Sequence, residues 1–177
     1  RKHVELVRAT REKVGPEVDI MLDCYMAWDV PYTVRMAEMI EPYRVKWIEE
    51  CLIPDDIDGY AELRRRIDST LIAGGEHEFT RYGYREIIAK QALDILQPDL
   101  HWVGGLSEAR KIADMALPHA LPVIPHGGCS PWGLALIAST TNCPMAECVA
   151  WNTEGGQVQV GLSDLFRGYP LPKAGFV

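Results

Sequence analysis

Five short apolar runs, at residues 18–22, 45–48, 71–75, 93–96 and 121–124, recur along the chain. Each is followed within three residues by a polar group: Asp23, Glu49, Glu76, Asp99 and His126. The gaps between these groups, 26, 27, 23 and 27 residues, are about what one strand, one helix and two short loops consume. The segments between the runs carry helix signals. Asp29 can cap a helix with Pro31 in its first turn, and Val34, Ala37 and Ile40 give it an apolar face. Thr80 and Ser107 are expected to cap two more, the second running from residue 108 to residue 116 and ending before Pro118. Ser130 and Pro131 open a helix over residues 132–140. The first dozen residues, with Val4, Val7 and Val14 on one side, read as a helix that precedes the first strand. The predicted order is therefore α, then βα repeated.

Strands that alternate with helices favour a parallel sheet. The runs are almost wholly apolar, interrupted only by Asp19, Lys46 and Asp94, as expected for strands covered on both faces. An open doubly wound sheet gives the same local pattern but gathers ligands at one switch point. Five functional-looking strand ends in succession suit a closed barrel, whose strand ends share one mouth. A complete eightfold barrel needs about 250 residues. The present chain has 177, so the expectation is one domain, residues 1–177, comprising part of an α/β TIM-type barrel without its first strands.

Composition narrows the partners. A net charge of −7, with 25 acidic and 18 basic residues, argues against nucleic acid or an anionic membrane as partner. No apolar stretch approaches the roughly 20 residues of a membrane span. The five cysteines form no CxxC pair, which favours reduced thiols and a cytoplasmic setting.

The chemistry of the strand ends divides them. Asp23, Glu49 and Glu76, on successive strands, would bring three like charges together, an arrangement that a hard cation such as Mg²⁺ neutralises. One such carboxylate alone would only mark the start of a loop; three in phase favour a metal site. Asp99 behind His126 forms a candidate acid/base dyad, because a carboxylate on one ring nitrogen fixes the imidazole tautomer. His77 is placed either at the substrate or in solvent, and His101 in a loop. Glu147, 21 residues after His126, is a further strand-end carboxylate, facing the mouth or paired with a neighbour. Arg64, Arg65 and Arg66 read as outer helical surface.

These residues resemble the enolase superfamily, in its mandelate-racemase-like branch. The resemblance rests on Met21-Leu22-Asp23, Trp47-Ile48-Glu49-Glu50, Gly75-Glu76-His77, Gln97-Pro98-Asp99 with Gly104-Gly105, and Pro125-His126-Gly127. Within that branch, Asp23-Cys24-Tyr25-Met26 and Glu49-Glu50-Cys51-Leu52 are most similar to sugar-acid dehydratases. The resemblance implies Mg²⁺ held by Asp23, Glu49 and Glu76, His126 oriented by Asp99 as acid/base, and Glu147 touching substrate, to which His77 is added as a substrate contact by its place beside Glu76. It implies loss of water from a sugar acid such as L-rhamnonate: the proton α to the carboxylate is abstracted, an enediolate forms, and the 3-hydroxyl leaves to give a 2-keto-3-deoxy acid. It also implies a homo-oligomer, an N-terminal capping domain and a lysine-bearing strand before Arg1. Two rival expectations are a racemase, epimerase or cycloisomerase on the same site, and a barrel used for binding or assembly without turnover.

Overall fold

A computed structural model describes residues 2–148 and, as backbone only, residues 150–152 and 158–160. Helix α1 (Lys2–Val14) precedes strand β1 (Ile20–Asp23), and α2 (Val30–Ile40) leads to β2 (Val45–Glu49). Then follow α3 (Ile57–Arg66), β3 (Leu71–Gly74), α4 (Thr80–Ala89), β4 (Ile95–Leu96), α5 (Leu106–Ala116) and α6 (Pro131–Ser139). The strands form one parallel sheet in the order β1-β2-β3-β4. This is the α/β, partial-barrel architecture that the repeat predicts. None of the described helices is long and apolar enough to cross a membrane.

Two stripes of side chains leave the sheet in opposite directions, as the period of two along a strand requires. Ile48, Ile72, Leu96 and Val123 are fully buried in the large core shared with Met36, Ile40, Leu63, Ile87 and Ile112. Trp47, Ala73, Ile95 and Ile124 form a separate small cluster on the other face. Glu49 shares parity with Trp47, so the strand delivers its carboxylate to that inner face.

The fifth run forms no strand. Residues 121–124 contribute a single parallel bridge, Leu96 to Val123, with Ile124 N–H donating to Leu96 O at 2.9 Å and Leu96 N–H to Pro122 O at 3.0 Å. Pro122 and Pro125 remove two ladder donors from this stretch and cut the strand short. The described end of the chain is instead an antiparallel pair, β5 (Ala150–Asn152) with β6 (Val158–Val160), which the βα repeat does not anticipate.

Two expected caps hold, that of Ser107 does not, and Thr80 accepts Tyr82 N–H at 3.4 Å but from the first position of the helix itself. Asp29 accepts Tyr32 N–H at 2.8 Å and Ser130 accepts Gly133 N–H at 3.2 Å, each starting its helix. Thr80 is itself the first residue of α4, at φ 57, and Phe79 precedes it without a side-chain cap. A long-range partner takes over: Glu108 Oε1 accepts the N–H of Arg81 at 3.0 Å and its Nε at 2.9 Å. Ser107 lies inside α5, whose N-cap is Gly105 at φ 83 and ψ −176, a conformation that only glycine adopts freely.

Candidate active site

The carboxyl ends of the strands carry the acidic groups together. Asp23 and Glu49 are register partners across β1 and β2. Asp23 is exposed and its Oδ1 accepts Tyr25 N–H at 2.9 Å, which turns the chain out of β1. Glu49 is buried and takes the Trp47 indole Nε1–H at 2.9 Å. Burial raises the Glu49 pKa, hydrogen bonds from Gln97 and Trp47 pull against that, and the charges of Glu147 and Asp23 raise it further.

After β3, Gly75 turns at φ 110. A side chain there would strike the Tyr84 hydroxyl, which donates to Gly75 O at 2.6 Å. This turn delivers Glu76 to the mouth, where it stands between two imidazoles. Its Oε1 lies 3.5 Å from His77 Nδ1 and its Oε2 lies 3.4 Å from His126 Nε2. Burial pushes the Glu76 pKa up to about 7; the two histidines oppose this, and Glu50 and Glu49 reinforce it.

The structure brings His126 and Asp99 into contact. His126 Nδ1 lies 2.8 Å from Asp99 Oδ2, which directs Nε2 toward Glu76. Burial lowers the pKa of His126, but the Asp99 hydrogen bond and the charges of Glu147 and Glu76 outweigh it, and the net direction is upward. Asp99 is buried, yet its hydrogen bonds from His126 and His101 hold its pKa below the ordinary value.

His101 lies in a turn, in agreement with the loop expected from its sequence, and that turn brings it to Asp99. Its backbone N–H and Nδ1 lie 2.6 and 2.9 Å from Asp99 Oδ1, so one carboxylate serves two imidazoles. The spacing Asp99-x-His101 was the available signal, since a side-chain oxygen readily takes the N–H two residues on. Trp132 meets the His101 ring edge to face at 5.1 Å, which sets it beside the mouth.

Glu147 comes from irregular backbone and not from a strand end; Cys129 N–H donates to its carbonyl at 3.0 Å. Its Oε2 accepts Gly127 N–H at 2.7 Å and lies 3.8 Å from His126 Nε2. The segment therefore folds back onto the His126 turn and completes the acidic rim.

Of two carboxylate-rich sets that share Glu76, only Glu50, Glu76 and His77 have ligand atoms gathered closely enough for one cation among the described residues; the expected trio Asp23, Glu49 and Glu76 is not brought together to that distance. Asp23, Glu49 and Glu76 offer oxygen ligands only, in keeping with a hard divalent ion. Burial first, and then repulsion from neighbouring carboxylates, raises the pKa values of Glu49 and Glu76, and a bound cation would offset both. Glu50, Glu76 and His77 each bring a ligand atom within 4.8 Å of the others. An imidazole in the set shifts the preference toward softer ions.

Comparison with known proteins places this geometry. The family model Enolase C-terminal domain-like matches residues 1–177. L-rhamnonate dehydratase from Saccharopolyspora erythraea is 42% identical over 174 residues, covering 98% of this chain and 44% of the relative. The crystal structure of L-rhamnonate dehydratase from Gibberella zeae superposes with a TM-score of 0.92 at 40% identity, over 99% of this chain and 44% of that one. Rhamnonate dehydratase from Gibberella zeae complexed with Mg gives 0.80 at 42% identity, over 83% and 36%. The chain thus spans under half the length of the relatives it matches. Matched along its whole length by that family model, and sharing the fold of these relatives, the chain belongs to the enolase C-terminal domain-like family, in its mandelate-racemase-like branch.

Proposed function

We propose that this chain is the catalytic-barrel portion of a Mg²⁺-dependent hydro-lyase that dehydrates a sugar acid such as L-rhamnonate to a 2-keto-3-deoxy acid. The observation that carries the reading is the Asp99–His126 dyad, with Nδ1 held at 2.8 Å and Nε2 turned to the carboxylate cluster. The rhamnonate dehydratase relatives support the substrate class. Asp23, Glu49 and Glu76 would hold Mg²⁺. The bound ion supplies a Lewis acid for the negative charge that develops when a proton α to a carboxylate is removed.

The chain's own residues handle the proton and the leaving group. Asp99 accepts from Nδ1–H, which fixes the ring and stabilises its charged form. The upward direction of the His126 pKa favours imidazolium, so Nε2–H is the proton donated to the departing 3-hydroxyl, which leaves as water. The α-proton is removed by His126 in its neutral state or by a base outside the chain. Glu147 fixes the His126 turn through the Gly127 N–H and presents an acceptor to substrate hydroxyls. His77 contributes a second imidazole at the rim.

The test is a screen of aldonates with the full-length protein and Mg²⁺, read by keto-acid formation. L-rhamnonate or a close deoxyhexonate is expected to react, and absence of turnover with every aldonate would sink the reading. Solvent deuterium entering recovered substrate without water loss would instead indicate a racemase or epimerase. Unchanged activity in His126→Asn would leave the dyad without a chemical role.

A further inference from the structure

We propose that Glu50 is a positioning residue that holds His77 in one tautomer, giving the mouth a second carboxylate–imidazole pair beside Asp99–His126. This rests on the assignment of His77 to substrate contact made above. Glu50 follows Glu49 at the end of β2, and strict alternation would send its side chain away from the mouth. The backbone departs from the strand there, with φ 44. Its N–H donates to Ala73 O at 3.1 Å and its carbonyl accepts Met26 N–H at 2.6 Å. The kink is thus fixed by β3 on one side and by the turn after β1 on the other. The side chain is only 4% exposed, and a carboxylate so deeply buried needs a hydrogen-bonding partner. His77 Nδ1 supplies it, 2.9 Å from both Oε1 and Oε2.

The ring is held by packing as well. Tyr25 meets it edge to face at 5.8 Å, and Trp102 lies tilted against it at 5.1 Å. A carboxylate can only accept, so neutral His77 is fixed with its proton on Nδ1. Nε2 is left as the ring's remaining polar edge, a lone pair suited to accept from a sugar hydroxyl. An imidazole without such a partner in water prefers the opposite tautomer, so the orientation comes from Glu50 and not from histidine itself.

The rival role for Glu50 is as a ligand, since Glu50, Glu76 and His77 cluster tightly enough to share an ion. Full-length protein labelled with ¹⁵N-histidine separates the two. In Mg²⁺-loaded wild type, well above the ordinary imidazole pKa, His77 is expected to show a protonated Nδ1 and a bare Nε2. Glu50→Gln keeps that pattern through its amide oxygen, and Glu50→Leu moves the proton to Nε2. In Glu50→Leu, kcat/KM for L-rhamnonate falls roughly 10–100-fold, and Glu50→Gln restores most of the loss. Mg²⁺ affinity by titration calorimetry stays unchanged in both variants. A bare Nδ1 in wild type, an unmoved proton in Glu50→Leu, or lost Mg²⁺ affinity with the tautomer intact would each overturn the proposal. If Glu50→Leu fails to fold, the wild-type and Glu50→Gln spectra still decide. If no aldonate reacts, the sugar-acid reading falls while the ¹⁵N pattern still reports on Glu50.

Discussion

Asp99 carries more of the site than any other single side chain. One oxygen holds His126, and the other takes both the backbone and the ring nitrogen of His101. Asp99→Asn keeps the shape but loses the charge and one acceptor, so the preferred His126 tautomer is no longer enforced. In the full-length protein kcat is expected to fall on the order of 10²–10⁴-fold with a smaller change in KM, measured by steady-state kinetics. The same residue makes a pH prediction. Its pKa is lowered from 3.8 in the folded state, so its stabilising contribution is complete above that value and is lost as pH falls through the folded pKa. The stability gap between wild type and Asp99→Asn in urea unfolding should therefore narrow on acidification below about 3.8, and narrow again as pH rises through the titration of His126, whose upward shift Asp99 supports. Asp99 and His126 were legible as a pair in the sequence because their chemistry depends on residue type at strand ends. His101 had only the local Asp99-x-His101 spacing to announce it, and Glu50 had no such signal, since its contact with His77 depends on how the loops after two neighbouring strands bend.

At the scale of elements, legibility follows locality. Asp29 and Ser130 cap their helices through residues three positions on, and such signals are written in the sequence. Thr80 and Ser107 misled because α4 borrows Glu108 from the next helix and α5 starts on a left-handed glycine, neither of which a local pattern reveals. The fifth run was apolar enough for a strand, but its two prolines outweigh its hydropathy. Asp94, an interruption in the fourth run, is a clasp between elements. Its Oδ1 lies 2.5 Å from Arg64 Nε on α3, and its Oδ2 takes Ile72 N–H of β3 at 2.9 Å. Arg64 is thus more than solvated helical surface. Asp94→Ala should cost about 1–3 kcal/mol, read as a lower urea midpoint at unchanged m, with little effect on kcat.

At the scale of the whole described molecule, the carboxylate cluster and the clasping ion pairs sit at opposite ends of the sheet. The amino ends are tied by pairs such as Lys46–Asp19 and Arg64–Asp94. The carboxyl ends gather Asp23, Glu49, Glu50, Glu76, Asp99 and Glu147, with pKa values pushed upward at Glu49 and Glu76. In the metal-free protein near neutral pH, Glu76→Gln removes one repelling charge and should raise stability by about 1 kcal/mol, while Mg²⁺ binding weakens in calorimetry. A lower urea midpoint for this variant would contradict the account. Glu76, wedged between two imidazoles, would then be a residue that a selection for heat resistance alone discards and a selection for growth on its substrate restores.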